Sequence, residues 1–262
     1  MIRLSIITVT YNAQETLPRT LKSVLTQNYH NIEHIIVDGA STDGTVKMTK
    51  EYKRDSYTIH NRRRVIIVSE PDNGLYDAMN KGLTMATGDY IVFMNAGDFY
   101  PEASTVSSII RKAKAKKAAI GKLPAVLYGD TDIVDSNGVF LRRRRLTPPK
   151  QLTWRSFRHG MLVCHQAFYA RKDIARGIAY DLRYRYSADV DWCIRVMKEA
   201  ESRQLPLLNV QATIANYTEE GLSTKHRRSS LKERYRIMEA HYGRFVTLAM
   251  HCWFAVRAVM RV

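Results

Sequence analysis

"LSIITVTY" (residues 4–11) is β-branched and almost continuously apolar, the pattern of a strand covered on both faces in a parallel sheet. The same character recurs in "IEHIIVD" (32–38), "RVIIVSE" (64–70) and "DYIVFMN" (89–95). Helical spacing fills the intervals: Leu17, Leu21, Val24 and Leu25 after the first run, residues 46–52 after the second, and Leu75, Met79, Leu83 and Ala86 after the third. Strand, helix and strand in repetition build right-handed crossovers and a sheet sandwiched by helices. The expected core is an α/β domain of nucleotide-binding type.

In such a sheet the ligand sits beyond the carboxyl ends of the strands. Those ends are "TYN" (10–12), "VDGAS" (37–41), "SEPDNG" (69–74) and "MNAGD" (94–98), so polar turn residues gather on one rim. The last belongs to "FMNAGDFY" (93–100), where a lone carboxylate, Asp98, follows a buried run in a chain that is otherwise strongly basic. Beyond it the pattern predicts a helix over about 102–117, a hairpin turning at "DSNG" (135–138), and an aromatic and basic stretch to about 187. A helix with Val190, Ile194, Val196 and Met197, a strand over 207–217 and a helical region from near Ser229 follow. The expected division is residues 1–100 as one half of a domain, 101–224 as its other half, and 225–262 as an amphipathic helical region.

The chain has 262 residues, 45% of them hydrophobic and 25% charged, enough to fold around a sizeable core. Its net charge of +16 favours partners that carry phosphate or an anionic membrane surface. Much of the excess lies in "RRR" (62–64), "KAKAKK" (112–117), "RRRR" (142–145) and "KHRR" (225–228), the first two of which read as solvated faces. Cys164, Cys193 and Cys252 have no CxxC spacing, so neither a zinc site nor a disulfide framework is expected; reduced thiols fit a cytoplasmic protein. Met1 leads directly into strand-like sequence without a signal-peptide pattern, and no run reaches the ~18 apolar residues of a membrane span.

Neither GxGxxG nor GxxxxGK[ST] occurs, which removes the two commonest phosphate loops. A diphosphate would then be held through one cation on one or two carboxylates, the usual magnesium arrangement. An acid at the mouth of a buried strand suits that role.

"SIITVTYNAQETLPRTLKSVLTQNYHNIEHIIVDGASTDGT" (5–45) and "GLYDAMNKGLTMATGDYIVFMNAGD" (74–98) resemble the inverting family 2 nucleotide-sugar glycosyltransferases of GT-A fold. "SEPDNGLYDAMNKG" (69–82), "YGD" (128–130), "CHQAFYARKD" (164–173) and "YRYSADVDWCIR" (184–195) are similar to the bacterial branch that builds exopolysaccharide, capsule and O-antigen repeat units, including the colanic-acid type. The resemblance spans residues 3–224. It implies a mixed Rossmann-like sheet, a UDP- or GDP-sugar donor, and a divalent metal, magnesium or manganese.

By that resemblance Asp98 takes the place of the metal-binding carboxylate of the DxD motif, with Asn95, Ala96 and Gly97 preceding it where the other acid is missing. A competing role for Asp98 is to cap the next helix, against which Pro101 at the first helical position would put the cap at Tyr100. Tyr11, Asp38 and Asn95 fall on the nucleotide rim; Asp38 either meets the ligand or satisfies backbone amides before "STDGT". Gly39 stands where many members carry a second Asp against the base, so uridine and guanosine both stay open. Asp72, Asp77, Asn80 and Lys81 lie in the next rim loop and the first turns of its helix, where phosphate or sugar hydroxyls bind. Lys81 either neutralises diphosphate or is a solvated helix lysine.

The family's catalytic base maps to Asp189 in "SADVDW". Asp191, two residues on, points about 200 degrees away on a regular helix, so one of the two acids is secondary. Asp191 is read as a first-turn acid favoured by the helix dipole, on the acceptor side; the competing role for Asp189 is an N-cap. His165 and Gln166 match the branch's "HQ" and line the acceptor or donor-sugar side. "EEGLSTKHRR" (219–228) resembles a late loop from which Ser223, His226 or Arg227 reaches the diphosphate on closure.

Phe245, Leu248, Ala249, Cys252, Trp253, Val256 and Met260 follow i, i+3, i+4, i+7 spacing, with Arg244, His251, Arg257 and Arg261 between them. Such a helix lies in an anionic membrane interface or packs on the protein's own core. The charge favours the membrane, with peripheral attachment to its cytoplasmic face and a lipid-linked or oligosaccharide acceptor, "RRRR" helping to hold its phosphate. A nucleic-acid module leaves the acidic rim unexplained and lacks a reader motif, so no nucleic acid partner is expected. A sugar-nucleotide pyrophosphorylase would need a glycine-rich N-terminal loop that is absent, and a catalytically inactive binding protein would explain the degenerate metal motif.

Overall fold

The computed structural model describes residues 1–60, 63–219 and 226–259. Its strands are β1 (Leu4–Thr10), β2 (Ile32–Asp38), β3 (Arg64–Ser69), β4 (Tyr90–Phe93), β5 (Val126–Val134), β6 (Phe140–Arg143), β7 (Phe168–Arg171) and β8 (Leu207–Thr218). The helices are α1 (Leu17–Leu25), α2 (Thr45–Ile59), α3 (Leu75–Met85), α4 (Thr105–Ile120), α5 (Lys172–Ala175), α6 (Ala188–Ser202), α7 (Arg227–Tyr242) and α8 (Arg244–Val259). One mixed sheet runs β3-β2-β1-β4-β7-β5-β6, with β8 paired to β5.

The continuous apolar runs became central strands: every residue of β1, β2 and β4 is buried. They pair in parallel with β3, in a register that sets Thr10 beside Asp38 and Asp38 beside Ser69. All four therefore empty onto the same rim. β7 joins β4 antiparallel, carrying the sheet into the later half of the chain, and β5 turns back to β6 through the "DSNG" hairpin.

Beneath the rim, aromatic rings from before and after Asp98 meet. Phe93 of β4 lies edge-on to Trp192 and Tyr180, at 5.6 and 5.2 Å, and Tyr180 stacks on Trp192 at 5.1 Å. Phe168 closes the cluster from β7.

Two expectations need correction. Arg63 of "RRR" is not on a solvated face: it is 6% exposed, and its guanidinium donates to the carbonyls of Val24, Leu25, Gln27 and Tyr29, closing the carboxyl end of α1. The helix after Asp98 starts at Thr105 behind Ser104, so Pro101 sits in the preceding turn and Tyr100 is not the cap. The "RRRR" run is likewise structural where its contacts are seen. Arg142 pairs with Glu219 at 2.6 Å, and Arg144 donates to the carbonyls of Leu146, Met161 and Leu162.

At the end of the chain α7 and α8 pack on each other. α8 turns Thr247, His251 and Phe254 toward the protein, with the His251 ring 4.9 Å from Tyr235. Its apolar stripe faces away: Phe245 is 90% exposed, Leu248 54%, Trp253 49% and Val256 47%. This stripe does not pack on the protein's own core; Met260 and Arg261 lie outside the described residues. Among the described residues no helix is long and apolar enough to cross a membrane. Cys164 and Cys193 are buried and Cys252 exposed, all as free thiols.

Candidate active site

A cleft of about 450 Å3 opens at the rim, within the range of small-molecule sites. Its walls come from the ends of β1 and β4, the start of α3, the His165–Ala167 turn, the approach to α6 and the end of β8. A depression of about 540 Å3 lies elsewhere on α2, but its lining of Lys50, Lys53, Arg54, Tyr57, Thr58, Arg63 and Val65 includes no carboxylate or imidazole.

Asp98 and Asp189 line the same cleft, although 91 residues separate them. Asp98 stands after Gly97, whose φ of +101° lies in the left-handed region that favours glycine. This turn drops the carboxylate below the surface, 5% exposed. Gln166 Nε2 donates to its Oδ2 at 2.7 Å, and the Thr218 N–H approaches Oδ1 at 3.3 Å. Burial pushes the Asp98 carboxyl up to about 6 despite those bonds and the nearby His165 and Arg19. It is bound to Gln166 and caps no helix.

Asp189 is the second residue of α6, behind Ser187, so it is not the N-cap. Tyr76 donates its hydroxyl to Oδ1 at 3.0 Å, and His165 Nδ1 lies 3.3 Å from Oδ2. Burial alone would raise this carboxyl; the His165 hydrogen bond and charge, then Arg234 and Tyr76, hold it below the usual range. It is therefore ionised and able to accept a proton. His165 Nε2 lies 3.1 Å from Asn95 Nδ2, so the same ring touches Asp189 and Asn95. The other amide atom, Asn95 Oδ1, is buried without a hydrogen-bond partner.

That orphaned oxygen bears on a metal. Among the described residues no group of three His, Cys, Asp or Glu side chains closes on a cation. Asp98 and Asn95 nevertheless offer a desolvated carboxylate and an unused amide oxygen on one turn. Two protein oxygens fit a hard cation that completes its shell with phosphate and water.

Tyr11, Asn95, His165 and Gln166 also line the cleft, as expected. The other rim residues are committed elsewhere. Asp38 is wholly buried and accepts from the Ser41 N–H and hydroxyl and the Ser69 hydroxyl, so it builds the turn beneath the rim. Asp77 accepts from the Asn73 N–H at 2.9 Å, and Lys81 pairs with Glu70 at 2.9 Å and donates to the Pro71 carbonyl; neither lines the cleft. Asp72 accepts from the Gly74 N–H and lies against Gly39, where an added Cβ would come within 2.5 Å of its Oδ2 and 3.3 Å of Tyr11. A side chain at residue 39 would have to displace that carboxylate.

Asp191 turns away from the cleft, as the helical angle requires. It accepts from Arg195 Nε at 2.7 Å and pairs with His241 Nε2 at 2.8 Å, tying α6 to α7. His226 and Arg227 are exposed at the start of α7; the His226 ring stacks on Tyr186, which does line the cleft. Ser223 lies outside the described residues. The sequence reading missed Tyr76, Arg185, Tyr186 and Glu233. In "YRYSAD" the acid alone carries a chemical signal, and no local pattern joins the stretch to residue 233.

A family model described as glycosyl transferase family 2 matches residues 5–177. A PGL/p-HBAD biosynthesis glycosyltransferase of Mycobacterium tuberculosis is 32% identical over 224 residues, covering 83% of this chain and 77% of that protein. The amylovoran biosynthesis glycosyltransferase AmsB of Erwinia amylovora is 26% identical over 223 residues, covering 82% of this chain and 69% of that one. In fold, S. aureus TarS 1-349 in complex with UDP-GlcNAc superposes with a TM-score of 0.68 at 17% identity. The match covers 91% of this chain, which spans 65% of that one. The mannosyltransferase PcManGT from Pyrobaculum calidifontis, in complex with GDP-Man and Mn2+, gives 0.60 at 15% identity, covering 98% of this chain and 75% of that one.

Proposed function

The chain belongs to glycosyl transferase family 2, and from that premise we propose that it inverts the anomeric centre while moving one sugar from a nucleotide-diphosphate donor to a polysaccharide repeat-unit acceptor carried on lipid. The observation that carries this reading is the convergence of Asp98 and Asp189 on one cleft from opposite halves of the chain. Direct displacement needs a stabilised leaving diphosphate, an acceptor hydroxyl held in line and a base for its proton.

The acceptor oxygen attacks the anomeric carbon from the side away from the diphosphate. The new C–O bond forms as the old one breaks, the diphosphate leaves with the bonding pair, and the hydroxyl proton passes to Asp189. One displacement gives one inversion. Tyr76 and His165 occupy one site on each carboxylate oxygen and fix its orientation, leaving lone pairs for the acceptor. Asp98 and Asn95 are the residues that would hold a magnesium or manganese ion, which supplies positive charge to the departing diphosphate. Tyr11, 64% exposed beside Gly39, offers a ring face to a nucleobase.

A lipid-linked acceptor places the enzyme at a membrane, and the outward stripe of α8 supports that site of work. Residues 244–262 include Arg244, Arg257 and Arg261 and no acid, a composition matched to an anionic interface on the cytoplasmic face. The PGL/p-HBAD and amylovoran proteins are named for glycan biosynthesis, which supports an acceptor of that broad class.

Replacing the base tests the mechanism. Asp189→Asn should bind UDP or GDP in the presence of manganese as the wild type does, yet lose at least about a thousandfold in transfer rate with the matching nucleotide-sugar. Turnover within about tenfold of wild type would remove Asp189 from the role of base.

A further inference from the structure

A leaving nucleoside diphosphate carries several negative charges, and the cleft lining holds two carboxylates against them, Asp98 and Asp189. Protein cations ought to balance this, and several of the candidates near the rim are engaged elsewhere. Lys81 is spent on Glu70 and Pro71, Arg142 on Glu219, and Arg144 on three carbonyls. Arg19, near Asp98, donates to the Ser136 carbonyl and the Thr218 hydroxyl.

Arg185 differs from all of these. It is the one arginine or lysine among the described residues that lines the cleft. Its side chain is exposed, and its guanidinium has no hydrogen-bond or ion-pair partner among the described residues. Its backbone, by contrast, is held from a distance. Glu233 of α7 accepts from the Arg185 N–H at 2.9 Å and the Tyr186 N–H at 2.8 Å, one carboxylate oxygen to each. The Ser187 and Ser230 hydroxyls meet 2.9 Å apart one residue further on. A free side chain on a pinned backbone is the arrangement of a residue placed for a ligand.

Resting on the donor reading above, we propose that Arg185 binds the donor's diphosphate and that Glu233 is the positioning residue that fixes it. The planar guanidinium presents paired donors matched to phosphate oxygens, a geometry a lysine cannot reproduce. Arg185 and Asp189 ride on one short stretch, four residues apart, so α7 places the cation for the leaving group and the base for the acceptor together. α7 is then part of the site, although the family match ends at residue 177.

Calorimetric titration of the full chain with UDP, GDP and dTDP, each in manganese chloride, and with the matching nucleosides tests this. Arg185→Ala should weaken the diphosphate that wild type binds by at least about tenfold, leave the nucleoside within about twofold, and melt as wild type does because the side chain makes no bond. Arg185→Lys should fall between, and Glu233→Ala should weaken the diphosphate selectively as well. Equal diphosphate affinity in wild type and Arg185→Ala overturns the inference while leaving the donor reading intact. Wild type that binds none of the three diphosphates overturns the donor reading itself, and this inference with it.

Discussion

In the half before residue 100 the rim acids Asp38, Asp72 and Asp77 each accept from a backbone N–H of their own loop. In the later half Asp189 accepts from Tyr76, 113 residues away, and from His165, 24 residues away. Asp98, at the junction, takes Gln166 from 68 residues on and Thr218 from 120 residues on. An acid that folds its own turn is spent in doing so, because its lone pairs are filled by the amides it organises. An acid held by distant side chains depends on the whole fold, keeps coordination sites open, and sits where segments converge. Convergence, rather than rim position, marks the chemical acids here.

The comparison breaks if the halves are not joined beneath the cleft. Trp192 is wholly buried, packs on Phe93, Phe168 and Tyr180, and donates its indole N–H to the Ile178 carbonyl at 2.7 Å. Trp192→Ala removes the indole on which Phe93 from before residue 100 and Phe168 and Tyr180 from after it converge, and should cost about 3–5 kcal/mol in urea denaturation, with donor binding lost alongside stability. A loss below about 1 kcal/mol would mean that the halves are held together elsewhere.

Asp189 and Asp191 sharpen the comparison on a single turn of α6. Asp191 is bonded to Arg195 and His241, so Asp191→Asn should lower stability by about 1.5–3 kcal/mol and leave turnover within about threefold. Burial would raise this carboxyl, but the His241 hydrogen bond and the Arg195 charge hold it below its ordinary value. A depressed folded value stabilises above the unfolded pKa, about 3.9, and the gain is lost as pH falls below that toward and through the lower folded value. The stability gap between wild type and Asp191→Asn should therefore narrow as pH drops from about 5 to about 3. A gap that widens toward acid would reverse the assigned sign.

What the sequence made legible follows the same division. β1, β2 and β4 are buried along their whole lengths, and a strand with both faces covered announces itself by an unbroken apolar run. The hairpin at 135–138 was equally plain, because Asp135 and Gly138 close their turn within four residues. Arg63 was misread because a charge run carries no sign of the carbonyls it will meet; its four acceptors lie on the far side of β2 in sequence. Arg185 escaped for the same reason, its significance resting on a contact with residue 233. Asp98 stands out as a lone carboxylate at the mouth of a buried strand and Asp189 and His165 through motif resemblance, whereas Tyr76, which bonds Asp189, has neither apolar period nor charge to distinguish it.

The smallest expected effect tests the rule at its most tempting exception. Lys81 has the charge and helix position of a phosphate ligand, but its ammonium is 2.9 Å from Glu70 and 2.8 Å from the Pro71 carbonyl, both in the adjacent loop. With side chains 26% and 52% exposed, the pair belongs to the partly solvated kind that contributes little net stability. Lys81→Ala should therefore change stability by less than about 1 kcal/mol and leave diphosphate affinity within about twofold, against the tenfold loss in Arg185→Ala. A larger affinity loss on removing Lys81 would mean that a side chain committed to its own loop still reaches the ligand. Local bonding would then no longer separate the scaffold cations from the working one, and Arg185 would lose the feature that singled it out.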